Sequence, residues 1–418
     1  MPLQVILLPV GTTGDVLPLV AVALRLKERG HRVVVAASGG SRGLTDSAGL
    51  ELIETLDARS DSAALDHPNF WRPTRGVRRF TERMILPSIR PQVAAVKARA
   101  QPGNTVIVGS TFAFGARIAS EKLRLPMVSI HLAPAALRSL EDTPAVANIP
   151  AFPRLPRSTK RLLYWYFDRF VFDPVMGPGL NEIRHGFGLP PIERPLESWL
   201  NSPTRVIGLF PPWFAAPAPD WPPQVRLTGF PLYDGPASRA MPPELRRFLK
   251  EGKAPIVFTA GTAMSHGDHF YRAAVEACGR LGRRGVLISA TEKQLPEETP
   301  LTVRAFAYAP FSELLPHAKA IVHHGGIGTA AQALKAGVAQ VVVPMAYDQP
   351  DNAARLVRLG VASTLSQRRL DGASLAATLQ RLLARADLPA KLADAAHRFE
   401  GDRSLDETCR LIEEAAVH

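Results

Sequence analysis

Cysteine is nearly absent. The chain has two, Cys278 and Cys409, in 418 residues. That excludes a disulfide framework, leaves no pair with metal-ligand spacing, and points to a reducing compartment. Long apolar runs are missing as well. No uninterrupted stretch reaches about 18 residues, so no membrane span is expected. The opening MPLQVILLPVGTTGD has no basic stretch before its apolar run, which breaks at Gly11, and it reads as a strand instead of a signal peptide. Neither H-E-x-x-H nor a carboxylate cluster occurs, so no metal is expected, and no Walker sequence is present. The turn Gly11–Gly14 is not G-x-G-x-x-G, and the following apolar run ends at Ala37 and Ser38 with no acid to hold a ribose. This argues against a dehydrogenase. No short-period repeat is present.

What is present is a well-mixed globular composition. Hydrophobic residues make up 46% and charged residues 21%, which argues against disorder. The length exceeds one typical core, so two domains are expected. The net charge of +12 suits an anionic small ligand, a nucleic acid or an acidic membrane surface. The basic residues are dispersed and no nucleic-acid motif occurs, so no nucleic-acid partner is expected.

Apolar runs alternate with helical patterns. Val5–Val10 ends at the glycine turn, a helical stretch runs through Leu24 and Leu26 to Gly30, and Val33–Ala37 follows. Strand, helix, strand in that order means parallel strands joined by a crossover. Val106–Val108, Phe114–Leu123 and Val128–His131 repeat the pattern. It resumes with Ile256–Thr259, Phe270–Leu281, Val286–Ser289, Val303–Phe306, Ala320–His323, Gly328–Ala336, Val338–Val343 and Asn352–Leu359, and the stretch after Ser374 reads as helical. The expected fold class is α/β, with two doubly wound Rossmann-like domains in series. The proline-rich Leu232–Pro243 reads as the linker. Two stretches break the alternation: Asp57–Arg99, rich in arginine and carrying Phe70, Trp71 and Phe80, and Leu162–Phe172, which gathers Tyr164, Trp165, Tyr166, Phe167, Phe170 and Phe172. Both read as insertions that line or cover a site.

The strongest motif is Ala320–Thr329, AIVHHGGIGT. A strand ends at His323, His324 and Gly325, Gly326 and Gly328 follow, and a helix begins. Small residues let a phosphate approach the backbone, and the free N–H groups and positive end of the helix favour an anion. The loop after Ile256–Thr259 carries Gly261 and Thr262 on the same sheet edge. Val341–Asn352 runs from a strand into Asp348 and Gln349, an acid and an amide placed where open α/β sheets bind ligands. That pair either brackets sugar hydroxyls or shapes the loop. Tyr308, Ala309 and Phe311 follow another strand end and offer an aromatic face and a backbone edge to a base. Near the N-terminus, Asp15 stands between strand and helix, either as a helix cap or as a general base toward an acceptor hydroxyl.

Together these motifs resemble the GT-B glycosyltransferases of the UDP-glycosyltransferase superfamily (family 1), over nearly the whole chain. The resemblance implies an acceptor-binding domain over 1–235, a nucleotide-sugar domain over 236–400, and a C-terminal helix in 401–418 that packs back toward the first domain. It implies that His324, with His323, Gly325, Gly326, Gly328, Thr329, Gly261 and Thr262, binds the donor diphosphate without metal or cofactor. Asp348 and Gln349 would hold the sugar. Tyr308, Ala309, Phe311 and Gln332 would meet base and ribose; Tyr308 stands where many members have tryptophan, and Gln332 where many have glutamate. Asp15 in GTTGDVLP matches the aspartate that sterol and antibiotic glycosyltransferases use as base, while Thr13, Phe70, Trp71, Phe80 and Trp165 are the acceptor-side candidates. The blocks VGSTFAFGARIASEKLRLP, LFPPWFAAPAPDWP, LTGFPLYDG and DQPDNAARLVRLG are similar to the rhamnosyltransferases of rhamnolipid synthesis, which implies dTDP-L-rhamnose and a lipid acceptor. Expected, then, is an inverting, metal-independent hexosyltransferase using a dTDP- or UDP-sugar, cytoplasmic or peripheral to the inner face of the membrane. A sterol or natural-product glucosyltransferase is the alternative within the class. Outside it stand a sugar-nucleotide epimerase and a non-catalytic partner subunit. Arg59–Arg99 would receive an anionic lipid or touch a membrane; the plainer reading is a solvated face.

Overall fold

The computed structural model describes residues 2–416 except 72, 147–148, 150, 236–239, 263 and 265. Arg72 of the basic stretch and part of the expected linker therefore lie outside the described residues. The chain divides into two compact units, Met1–Tyr233 with Arg403–His418, and Asp234–Asp402.

The first unit holds a seven-stranded parallel sheet. Its strands are β1 (Gln4–Leu8), β2 (Arg32–Ser38), β3 (Glu51–Leu56), β4 (Thr105–Ser110), β5 (Met127–His131), β6 (Arg205–Gly208) and β7 (Val225–Leu227), in the order β3-β2-β1-β4-β5-β6-β7. All five residues of β1 are buried, as expected of a parallel strand covered on both faces. Its side chains alternate between two cores. Val5 and Leu7 pack with Leu19, Val20 and Leu26 of helix Thr13–Glu28. Ile6 and Leu8 pack with Ile89, Val93 and Val96 of helix Leu86–Arg99. The C-terminal helix Ser404–Ala415 completes the first of these cores with Cys409, Leu411 and Ile412.

The second unit holds six parallel strands, β8 (Ile256–Thr259), β9 (Gly285–Ile288), β10 (Val303–Phe306), β11 (Ala320–His323), β12 (Ala339–Val342) and β13 (Ala362–Thr364), in the order β10-β9-β8-β11-β12-β13. The strand order reverses direction between β8 and β11, and the corresponding point in the first unit lies between β1 and β4. Loops at such points are where doubly wound sheets take ligands. The doubly wound parallel fold expected from the alternation is the fold observed. Reading the sequence alone missed β3, β6, β7 and β13. Three of these have four residues or fewer, too few for a period, and are held by pairing. The stretch Asp57–Arg99 is helical, as Ala58–Leu65, Pro73–Phe80 and Leu86–Arg99, with a tight turn at Pro68–Trp71 and a wider one at Thr81–Ile85.

Ile412 is fully buried. Ile412→Ala should destabilise the first unit by about 2–5 kcal/mol through lost burial and a residual cavity. All five tryptophans precede residue 234, so urea unfolding followed by tryptophan fluorescence reports this unit; an unshifted midpoint would show the helix contributes nothing to its stability.

Candidate active site

The strand register of the second unit brings three loops together. His323 is level with Thr259 of β8 and with Val342 of β12. The segments beginning at Ala260, His324 and Val343 therefore leave the sheet side by side.

The two adjacent histidines have different surroundings. His323 closes β11 and is fully buried. Its Nε2 is 2.9 Å from Gln340 Oε1, and its Nδ1 accepts from the Gly325 N–H at 3.2 Å. For His323, expected at the diphosphate, both ring nitrogens are engaged within the fold, and its side chain supports the loop. Burial lowers its pKa to about 3, with the neighbouring His324 adding to the effect. His324 lies just past the strand, half-buried, with burial lowering its pKa to about 4. It is therefore a neutral imidazole at pH 7, and its buried Nδ1 has no hydrogen-bond partner among the described residues.

Two glycines hold that ring. A methyl group on Gly261 would lie 2.7 Å from His324 Cε1, and one on Gly326 would lie 2.5 Å from Nε2. Gly261 has φ +96° and Gly325 +99°, a region that side chains disfavour. Gly326 caps helix Ile327–Lys335 and supplies no side-chain acceptor. The first bond back to its carbonyl comes from Ala330, so the earlier N–H groups of that turn have no intrahelical partner. Gly328, in the same turn, differs from the others. A Cβ there would meet no atom within 4 Å. The fold does not require glycine at this position.

The loop after β12 is built around buried groups. Gln349 is buried, and its Oε1 accepts from Met345 N at 2.8 Å and Ala346 N at 3.1 Å. The carbonyl end of this amide thus shapes the loop. Asn352, fully buried, donates from Nδ2 to Gly325 O at 3.0 Å and Asp348 Oδ2 at 2.7 Å. It ties the expected sugar-side acid to the glycine loop. Tyr347, next to Asp348, has φ +58°, a strained setting for a bulky residue.

Tyr308, Phe311 and Gln332 converge on one residue that sequence reading passed over. Asp234 accepts from Phe311 N at 3.1 Å and Gln332 Nε2 at 3.0 Å through Oδ1, and from Ser312 N at 3.2 Å through Oδ2. Its backbone carbonyl accepts from the Tyr308 hydroxyl at 2.5 Å. Because Gln332 donates to Asp234, the oxygen of its amide is left for another donor. A glutamate there would face the Asp234 carboxylate as a like charge. Ala309 is buried.

In the first unit, Thr12 is the N-cap of helix Thr13–Glu28 and Asp15 is its third residue. Asp15 Oδ2 accepts from the Thr12 N–H at 2.7 Å and the Thr12 hydroxyl at 3.0 Å, a capping box. Asp15 thus stabilises the helix start from the third position, not from the cap itself. Burial raises its pKa, against the lowering effect of the Thr12 bonds. Gly11 has φ +136°, and a Cβ there would sit 2.3 Å from Asp15 Oδ2. Thr13 is exposed. Phe70 and Phe80 belong to a hydrophobic core, their ring centroids 6.0 Å apart, with Trp71 packed against it. The rings of Phe70 and Phe80, expected on the acceptor side, are taken up in packing. Trp165 is turned outward, 51% exposed. Among the described residues no group of three His, Cys, Asp or Glu side chains could hold a metal ion.

Comparison with known proteins bears on both units. Residues 5–140 match the glycosyltransferase family 28 N-terminal domain. Residues 278–403 match the erythromycin biosynthesis protein CIII-like C-terminal domain. O-mycaminosyltylonolide 6-deoxyallosyltransferase of Streptomyces fradiae is 30% identical over 436 residues, covering 99% of this chain and 98% of that protein. Vancomycin aglycone glucosyltransferase of Amycolatopsis orientalis is 26% identical over 365 residues, covering 86% and 85%. Among solved structures, glycosyltransferase VinC in complex with dTDP matches with a TM-score of 0.70 at 21% identity, over 99% of each chain.

The glycines separate fold from function. Gly328→Ala should keep or raise Tm, since alanine is the better helix former by up to about 1 kcal/mol. It should weaken dTDP or UDP binding roughly tenfold, the equivalent of one lost charge-assisted hydrogen bond. Gly326→Ala should lower both Tm and affinity by displacing His324. Calorimetry and thermal melts on the pair check this; unchanged affinity in both variants would remove the anion from this loop. Asp234→Ala should weaken nucleotide binding by a similar factor, and the same titration tests it.

Proposed function

Since the chain belongs to the GT-B glycosyltransferases that join a family 28 N-terminal domain to an erythromycin CIII-like C-terminal domain, we propose that it transfers a hexose or deoxyhexose, with inversion, from a nucleoside diphosphate to a hydroxyl of an apolar acceptor. The observation that carries the reading is the imidazole of His324 clasped by Gly261 and Gly326 beside an uncapped helix start. That arrangement offers a fixed hydrogen-bond donor, free N–H groups and a positive helix end at one point.

In this reading the second unit binds the donor. The diphosphate lies against residues 325–329 and His324, which stabilise the charge that develops on the leaving group. Asp348 and the Nε2 of Gln349 take the sugar hydroxyls. Tyr308 and Phe311 take the base, and the Oε1 of Gln332 takes the ribose. The first unit binds the acceptor. Asp15 accepts the hydroxyl proton as the oxygen attacks the anomeric carbon, and the bond to the diphosphate oxygen breaks with its electron pair leaving on that oxygen. The sugar passes through an oxocarbenium-like state. Both Thr12 bonds fall on Oδ2, so Oδ1 is the oxygen we assign to the proton.

The Streptomyces fradiae relative, named for deoxyallose transfer, and the VinC complex with dTDP support a dTDP-deoxyhexose donor. L-rhamnose and a lipid acceptor rest on the sequence blocks alone. The vancomycin relative supports glucose and a natural-product acceptor as the alternative. A reducing, cytoplasmic setting is in keeping with the buried free thiols of Cys278 and Cys409.

Asp15→Asn separates base from cap. An amide oxygen can still accept both Thr12 bonds. Burial raises the carboxyl pKa, so the stability tied to its neutral form is present at low pH and lost as pH rises through that raised value. At neutral pH the variant should therefore be at least as stable as the parent. Its kcat should fall by about 10²–10⁴ with the Kd for dTDP or UDP unchanged. Single-turnover assays across a donor and acceptor panel, with melts at neutral and acid pH, provide the check. Retained turnover would leave Asp15 with capping alone.

A further inference from the structure

Helix Arg157–Phe167 and the wide turn Asp168–Phe172 that continues it carry an apolar stripe on the wrong side. Leu162, Trp165, Tyr166 and Phe170 follow i, i+3, i+4, i+8 spacing, which places them on one helical face. Such a stripe ordinarily faces a core. Here the four are 61%, 51%, 49% and 56% exposed. The Phe170 ring packs on both other rings, its centroid 5.1 Å from that of Tyr166 and 5.9 Å from that of Trp165. The opposite face anchors the helix. Tyr164 packs on Phe152 at 5.3 Å, Lys160 Nζ donates to Leu140 O at 3.0 Å, and the buried Asp168 is paired with Arg138 at 2.5 Å. Asp168 is the one acid in 157–172, and that pair neutralises it. Arg161 and Arg169 flank the stripe, exposed, and Arg169 lies over the Phe170 ring at 5.8 Å.

Phe170 also walls a cavity of about 440 Å³, which Arg75, Arg78, Arg79 and Arg83 line from helix Pro73–Phe80 and the turn after it, with Val175 on the apolar side. Its one acid, Glu82, is 3.8 Å from Arg78. Arg75 and Arg83 are in no ion pair among the described residues. Four guanidiniums beside an apolar wall match a phosphate joined to a hydrocarbon chain. Tryptophan and tyrosine match the depth of lipid headgroups.

We propose that this face of the first unit docks on an anionic lipid bilayer: the aromatic ridge enters the interface, and the arginine cavity takes lipid phosphates. Among the described residues no helix is long and apolar enough to cross a membrane, so the contact is peripheral. A protein partner would also cover an apolar ridge, but Arg75 and Arg83, in no ion pair among the described residues, with the exposed Arg161 beside the ridge, favour a surface with dense, uniform negative charge. The proposal is independent of the donor site.

The test is sedimentation of the full chain with vesicles of phosphatidylglycerol in phosphatidylcholine, against phosphatidylcholine alone. The chain should sediment with the anionic vesicles only, and less as salt rises. Trp165→Ser with Phe170→Ser, and separately Arg75→Glu with Arg83→Glu, should each lower the partition coefficient roughly tenfold or more. These side chains are exposed, so Tm should hold, and melts verify folding. Failure of the parent to sediment, equal binding to neutral vesicles, or parental binding by both variants would overturn the proposal. So would a ridge variant that changes the mass seen by light scattering, since a second copy of the chain would then be the occupant.

Discussion

The imidazole of His324 can lie against the backbone at residues 261 and 326 only while both lack a Cβ. That close approach in turn requires β8 and β11 to end level, as the pairing of His323 with Thr259 makes them do. The remaining supports act on the same loop. His323 accepts from Gly325 N, Asn352 donates to Gly325 O, and the Gln349 backbone packs against the same glycine. A short loop made of glycine would be floppy by itself. Here neighbouring strands and buried amides brace it, and for the proposed donor such bracing is the condition for electrostatic stabilisation without reorganisation.

Asp15 shows a comparable economy. A carboxylate at the third residue of a helix is favourable for local reasons, through the capping box and the positive helix end. Burial works in the opposite sense and raises its pKa. The same surroundings thus place the side chain firmly and make it a better proton acceptor than an exposed aspartate. Gly11 allows both, because any side chain there would occupy the position of Oδ2.

The aromatic residues of the first unit divide by environment, not by type. Phe70, Phe80, Phe112 and Phe114 join edge to face in and around a buried core. Trp165, Tyr166 and Phe170 use the same chemistry on the outside. A packed interior explains the first group. The second has no such explanation within the unit.

Much of the architecture was legible in the sequence because it rests on local signals. Strand runs, helical periods and glycine turns repeat within windows of a few residues, so the parallel α/β alternation and the strand–turn–helix at residues 320–329 could be read directly. The short edge strands β7 and β13 could not, since three residues carry no period and depend on a neighbour for pairing. The two histidines look alike in sequence; only the position of the strand end sends one into the sheet and leaves the other beside the loop. Asp234 and Gln332 lie 98 residues apart, and no local pattern links them. The sequence alone determined the helices and the longer central strands, because backbone sterics and side-chain alternation act between near neighbours. Tertiary structure alone decided which polar groups are engaged and which are left for a ligand, because that depends on partners tens of residues away that only the folded chain brings within hydrogen-bond distance.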